Sequence, residues 1–67
     1  MRYNKKMNMW ELTFNNADFD KIIDYCHCTF EGLEGWWLNA EPEMFTIYIK
    51  DKYEAATFAL NYLDIAI

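Results

Sequence analysis

The period at which apolar residues recur changes three times along this chain, and this change most constrains the fold. Trp10, Leu12 and Phe14 occupy every second position between Met7 and Phe14, which predicts a strand with one buried face. From about residue 17 to residue 29 the apolar positions recur at helical spacing and form a stripe about 100° wide. A strand period followed directly by a helix period predicts a mixed α+β architecture.

The second half of the chain repeats both periods. Residues 36–40 predict a short strand, residues 41–43 contain the single proline and predict a turn, and residues 44–50 alternate between apolar and polar. Asp51, followed three positions later by Glu54, predicts a capping box that opens a second helix ending near residue 64.

These elements predict one small α+β domain of βαββα order. We expect a three-stranded antiparallel sheet with both helices packed on one face and the other face open. Residues 1–6 are polar and basic, and we expect them to form a flexible lead-in to a single domain that spans residues 7–67. A chain of 67 residues buries too little surface to enclose a large active-site cavity.

Charge is distributed unevenly along the chain. The net charge is −5, but residues 7–67 hold three basic and eleven acidic residues, a net charge of −8 for the body. A surface of that sign repels phosphate backbones and anionic lipids, so we expect no direct binding to nucleic acid or membrane. A larger protein with a basic surface, such as a nucleic-acid-binding protein, is the expected partner.

Neither a membrane span nor a disulfide framework is predicted. No apolar run approaches the roughly 20 residues that cross a bilayer, and the first residues lack the apolar core of a signal peptide. The two cysteines, Cys26 and Cys28, are too close together for the framework of a secreted domain. We therefore expect a cytoplasmic protein.

Cys26, His27 and Cys28 have the side chains that zinc prefers, but their spacing argues against a metal site. On a helix, Cys26 and Cys28 lie about 160° apart, so their sulfurs diverge. Asp24, His27 and Cys28 on the solvent side are the alternative ligand group. We expect no metal, no cofactor and no catalytic residues, and hence a protein that is not an enzyme.

Trp36 and Trp37 are consecutive in a predicted strand, so one should face the core and the other should face outward with Tyr48. An outward tryptophan is typical of binding hot spots, although another part of the chain is an alternative cover. The second helix is apolar over about 200° of its circumference, more than a surface helix needs. Its flank with Phe58 and Tyr62 is a predicted partner contact or, alternatively, packs on the first helix.

Acidic residues concentrate in the first helix and the loop after it, at Asp20, Asp24, Glu31 and Glu34. They present carboxylates where a duplex presents phosphates, which predicts a nucleic-acid mimic; solubility and electrostatic steering are the alternative reading.

Size, acidity and surplus aromatics together favour a small non-enzymatic protein that binds and inhibits or redirects a larger protein. In these features the chain resembles the small accessory and anti-defence proteins of bacteriophages and mobile elements, including anti-CRISPR inhibitors. That resemblance implies an inhibitor or DNA mimic acting in a host cytoplasm. The alternative is a self-associating βαββα structural or ligand-binding module, which would form a homodimer.

Overall fold

The computed structural model describes residues 1–30 and 35–67, which form a four-stranded antiparallel sheet and two α-helices. The α+β class, the two helices and the antiparallel sheet agree with the sequence prediction. The elements in chain order are β1 (Arg2–Asn4), β2 (Met9–Asn15), a 3₁₀ turn (Asn16–Asp18), α1 (Phe19–Thr29), β3 (Trp36–Ala40), β4 (Met44–Ile49), α2 (Lys52–Tyr62) and a second 3₁₀ turn (Leu63–Ile65).

The strands lie in the order β1-β2-β4-β3, so the expectation of a three-stranded sheet is wrong by one strand. The additional strand, β1, comes from residues that were expected to be a flexible lead-in. It pairs with β2 over three residues, from Arg2 opposite Glu11 to Asn4 opposite Met9. Strand β4 lies between β2 and β3, with Leu12 and Leu38 both opposite Ile47.

Asparagine side chains close the loop between β1 and β2, which explains why the first residues join the sheet. The Asn4 side-chain oxygen accepts hydrogen bonds from the backbone N–H groups of Lys6 (3.0 Å) and Met7 (3.1 Å). Asn8 has a φ of 56°, the left-handed conformation that asparagine tolerates well. The Tyr3 hydroxyl donates to the Asn8 side-chain oxygen at 3.2 Å. The turn chemistry therefore specifies a hairpin here.

The two helices begin in different ways. Asp51 caps α2 as predicted, because its side-chain oxygen accepts the Glu54 N–H at 2.9 Å. Neither Asn15 nor Asn16 caps α1 through its side chain. Asn16 instead donates to the Pro42 carbonyl oxygen at 2.7 Å, which ties the start of the helical region to the β3–β4 turn.

Both helices pack on the same sheet face. Phe14 and Phe45 are directly opposite each other on β2 and β4, with ring centroids 5.5 Å apart. Phe19 at the start of α1 contacts Phe45, and Phe58 of α2 contacts Phe14. The buried core consists of Leu12, Phe14, Ile22, Cys26, Phe30, Trp36, Phe45, Ile47, Ile49, Ala55, Phe58 and Ala59.

Within the described ranges, neither helix is long and apolar enough to cross a membrane.

Candidate protein-binding surfaces

The tryptophan pair divides between the two faces of the sheet, as the sequence predicted. Trp36 is buried in the core, whereas Trp37 is 61% exposed on the opposite face. Trp37 lies directly opposite the half-buried Tyr48 in the β3–β4 pair. The next positions along that row are Glu11 and then Arg2, whose side chains form a 2.7 Å ion pair. The open face therefore carries an aromatic pair at one edge and an ion pair at the other.

Phe58 and Tyr62 face the interior of the helical layer and not a free flank. Phe58 is fully buried, and Tyr25 of α1 stacks on it with ring centroids 5.5 Å apart. Tyr62 is half-buried against Tyr25 at 5.0 Å. Burial, reinforced by nearby Tyr25 and Cys26, raises the pKa of the Tyr62 hydroxyl. The alternative use of this flank, contact with α1, is therefore what the structure shows, and Phe58 presents no surface to a partner.

Asp20 and Asp24 lie one turn apart on the exposed side of α1. The carboxylates are separated by one helical turn, a rise of about 6 Å along the axis. Lys21 is the neighbouring cation, and its ammonium lies 5.8 Å from the centre of the Tyr62 ring. Glu31 and Glu34 lie outside the residues that the structure describes.

An exposed apolar surface lies at the C-terminal end of α2, and the sequence prediction did not single it out. Leu60 is 88% exposed and Leu63 is 53% exposed. Together with Met1 they form the rim of an open groove of about 730 Å³, which we call the α2 groove. Ala56 and Ala59 also line it. The surplus apolar arc of α2 was visible in the sequence, but the part of that arc left uncovered depends on which side meets the sheet.

Cys26 and Cys28 lie on different sides of α1, as helical geometry predicts. Cys26 is fully buried, and burial raises the pKa of its thiol to about 12. Cys28 is exposed, and the His27 ring lies edge-on to Trp36 with centroids 5.5 Å apart. Across residues 1–30 and 35–67, no three His, Cys, Asp or Glu side chains are grouped so as to hold a metal ion.

Searches of protein-family models, curated proteins and solved structures find no match to this chain.

Proposed function

We propose that this chain is a small protein-binding domain that docks through the α2 groove on a larger protein and inhibits or redirects it. The observation that carries the proposal is the exposure of Leu60 and Leu63 beside a groove lined by alanines. Covering these leucines with a partner would gain about 25 cal/mol of free energy for every Å² of apolar surface removed from water. Contiguous apolar surface of this kind is typical of sites where proteins associate.

The composition of the α2 groove indicates the kind of contact that it makes. Ala56 and Ala59 line the groove beside the two leucines and leave room for a protruding aliphatic or aromatic side chain of the partner. Asp64 lines the same groove and supplies a carboxylate at its rim. An apolar centre with a polar rim is the usual arrangement of a protein interface.

The charge of the chain favours a partner with a basic surface. A net charge of −5 steers a cationic protein toward the domain, and the exposed Asp20 and Asp24 add to that field. In the mode we propose, the α2 groove supplies most of the affinity and the acidic residues raise the association rate. The resemblance to anti-defence proteins makes nucleic-acid-binding defence proteins the first targets to test.

The test is a quantitative pull-down from bacterial lysate with the tagged protein, followed by affinity measurement on any stoichiometric partner. A Leu60→Ser/Leu63→Ser variant should bind about 100-fold more weakly, since two anchor side chains are removed. Tyr53→Ser is the matched control, because Tyr53 is 80% exposed on the same helix but does not line the groove. It should bind within twofold of the parent chain.

An Asp20→Lys/Asp24→Lys variant separates the charge contribution from the groove contribution. We expect this variant to associate about tenfold more slowly at low salt, with little change in the dissociation rate. Full binding by the Leu60→Ser/Leu63→Ser variant would overturn the assignment of the groove. The absence of any stoichiometric partner would overturn the proposed function.

A further inference from the structure

The two edges of the sheet differ in how well they are protected. Strand β1 has only three residues, and Arg2 places a charge on it. Strand β3 has five residues, Trp36–Ala40, with no charged residue and no proline. Its register with β4 runs through five consecutive pairs without a bulge. Charges, prolines and bulges are the devices by which edge strands avoid pairing with another chain, and β3 has none of them.

Two backbone hydrogen bonds show which groups of β3 point outward. The Lys50 N–H donates to the Gly35 carbonyl oxygen, and the Glu41 N–H donates to the Met44 carbonyl oxygen, both at 2.8 Å. In an antiparallel pair the residues that exchange such bonds alternate with those that do not. Residues 37 and 39 therefore point their backbone groups at β4, and Leu38 and Ala40 point theirs away from the sheet. Among the strands that the structure describes, only β4 pairs with β3.

We propose that β3 pairs in antiparallel fashion with β3 of a second copy of this chain, around a two-fold axis at Leu38. The two sheets then join into one sheet of eight strands. Leu38 is the central residue of Trp36–Ala40, so this register overlaps the whole strand. The Leu38 N–H donates to the Leu38 carbonyl oxygen of the second copy, and the reverse bond forms by symmetry.

The side chains of β3 are self-complementary in this register. Trp37 lies opposite Asn39 of the second copy, and the two Trp37 rings become diagonal neighbours within reach of each other. On the other face the two Leu38 side chains meet beside an apolar groove of about 320 Å³, which His27, Trp36, Trp37 and Leu38 line. Trp37 is 61% exposed, and association covers the side of its ring that faces the second copy.

The neutrality of β3 favours a second copy over a cationic partner. Elsewhere the surface is acidic, and a basic protein finds no carboxylate on β3 with which to pair. The β3 strand of a second copy is also neutral, so pairing the two β3 strands leaves no charge without a partner. A specific interface buries at least about 1,000 Å², and the two Trp37 rings contribute about 200–300 Å² toward it. We therefore expect a dimer that dissociates at about 10–100 µM.

Disulfide trapping tests the register. Leu38→Cys in a Cys28→Ser background places two thiols on the two-fold axis, at a Cα separation within the range of a disulfide. Cys26 is buried and does not interfere. In a glutathione redox buffer at 100 µM protein, this variant should form a covalent dimer at least tenfold faster than Asn39→Cys in the same background. Asn39 is the matched control because it faces Trp37 and not itself across the axis.

Analytical ultracentrifugation tests whether the β3 edge mediates dimerisation. The parent chain should change from monomer to dimer between 5 and 500 µM, whereas Trp37→Lys, with a charge on the edge, should stay monomeric. Tyr53→Lys is the matched control, since it makes the same charge change at an exposed ring on α2, and it should dimerise like the parent. Added salt should strengthen the dimer, because each copy carries a charge of −5.

A monomeric parent chain at 500 µM, or equal trapping of Leu38→Cys and Asn39→Cys in folded protein, would overturn the proposal. Circular dichroism shows whether each variant is folded. The result is independent of the proposed function, because the dimer needs β3 and the larger partner needs the α2 groove. The salt dependences also have opposite signs, since salt weakens the approach of a basic partner.

Discussion

Phe58 and Leu60 are two positions apart on α2 and have opposite surroundings. Phe58 is fully buried under Tyr25, whereas Leu60 is 88% exposed. Two positions correspond to about 200° around a helix, so both cannot face the sheet. Both residues belong to an apolar arc too wide for one contact, and the sequence does not say which part of it the sheet covers. The prediction of Phe58 as a contact residue and the omission of Leu60 have this common cause.

The buried thiol of Cys26 predicts a loss of stability at high pH. Its pKa rises from 9.0 to about 12 on burial, so between these values the unfolded state releases a proton that the native state retains. This contribution to stability is complete below pH 9 and is lost as the pH rises toward 12. The loss approaches about 1.4 kcal/mol per pH unit at its steepest.

Urea unfolding of Cys28→Ser and of Cys26→Ala/Cys28→Ser at pH 8, 9 and 10 measures this loss. Tyrosines and lysines titrate in both proteins, so the difference between the two slopes isolates Cys26. We expect the protein that keeps Cys26 to lose about 1 kcal/mol more of its unfolding free energy from pH 9 to pH 10. Equal slopes would show that Cys26 does not retain its proton in the native state.

At the scale of elements, the hydrophobic period predicts β2, α1 and β4, and the capping box predicts the start of α2, close to their observed bounds. Strand β1 was missed because three residues are too few for a period, and its polar sequence resembles a tail. The information lies in the turn chemistry, with Asn4 accepting two backbone N–H groups and Asn8 in the left-handed conformation. Local hydrogen bonding, and not hydrophobic pattern, therefore specifies this hairpin.

The hydrogen bonds that the Asn4 side chain accepts should slow the exchange of the β1 amides with solvent. Asn4→Ala removes the acceptor for the Lys6 and Met7 N–H groups, so the β1 amides should exchange with solvent about tenfold faster. Asn4→Asp is the matched variant: it keeps the acceptor but places a carboxylate beside Glu11, to which Asn4 now donates at 3.3 Å. It should exchange at an intermediate rate.

Amide hydrogen exchange followed by NMR measures both Asn4 variants, with the β3–β4 hairpin as internal reference. The same β1 exchange rate in Asn4→Ala as in the parent chain would show that the strand is held by its pairing with β2 alone.

At the scale of the whole molecule, the sheet order leaves β3 and β1 as edges and packs both helices on one face. The uncovered face holds Trp37, and the far side of α2 holds the groove. Acidic side chains such as Asp20 and Asp24 are distributed over the remaining exposed surface. The candidate binding surfaces thus lie on separate sides of the domain, so each can be altered without changing the others.

The excess negative charge predicts that salt stabilises the folded domain. Self-repulsion in a chain of net charge −5 opposes compaction, and salt screens it. Raising sodium chloride from 10 to 500 mM should raise the melting temperature by about 2–4 °C, equivalent to about 0.5 kcal/mol for a domain of this size.

The Asp20→Lys/Asp24→Lys variant is the control, since two reversals of charge bring the net charge from −5 to −1. Its melting temperature should rise by less than half as much with salt, as measured by circular dichroism at 20 µM protein. A melting temperature that falls with salt in the parent chain would contradict the self-repulsion argument.

What the sequence by itself determined is the class of fold and the inward faces of β2, β4 and α1, because apolar periodicity is a local property that each segment carries alone. The division of Trp36 and Trp37 between the two faces followed from strand alternation, and the capping of α2 by Asp51 followed from its spacing to Glu54. Only the tertiary structure decided that Phe58 is core, that Leu60 borders a groove and that β3 is an edge. Those properties depend on which neighbour each element meets. The apolar period of a single segment does not specify its contacts with segments that are distant in the sequence.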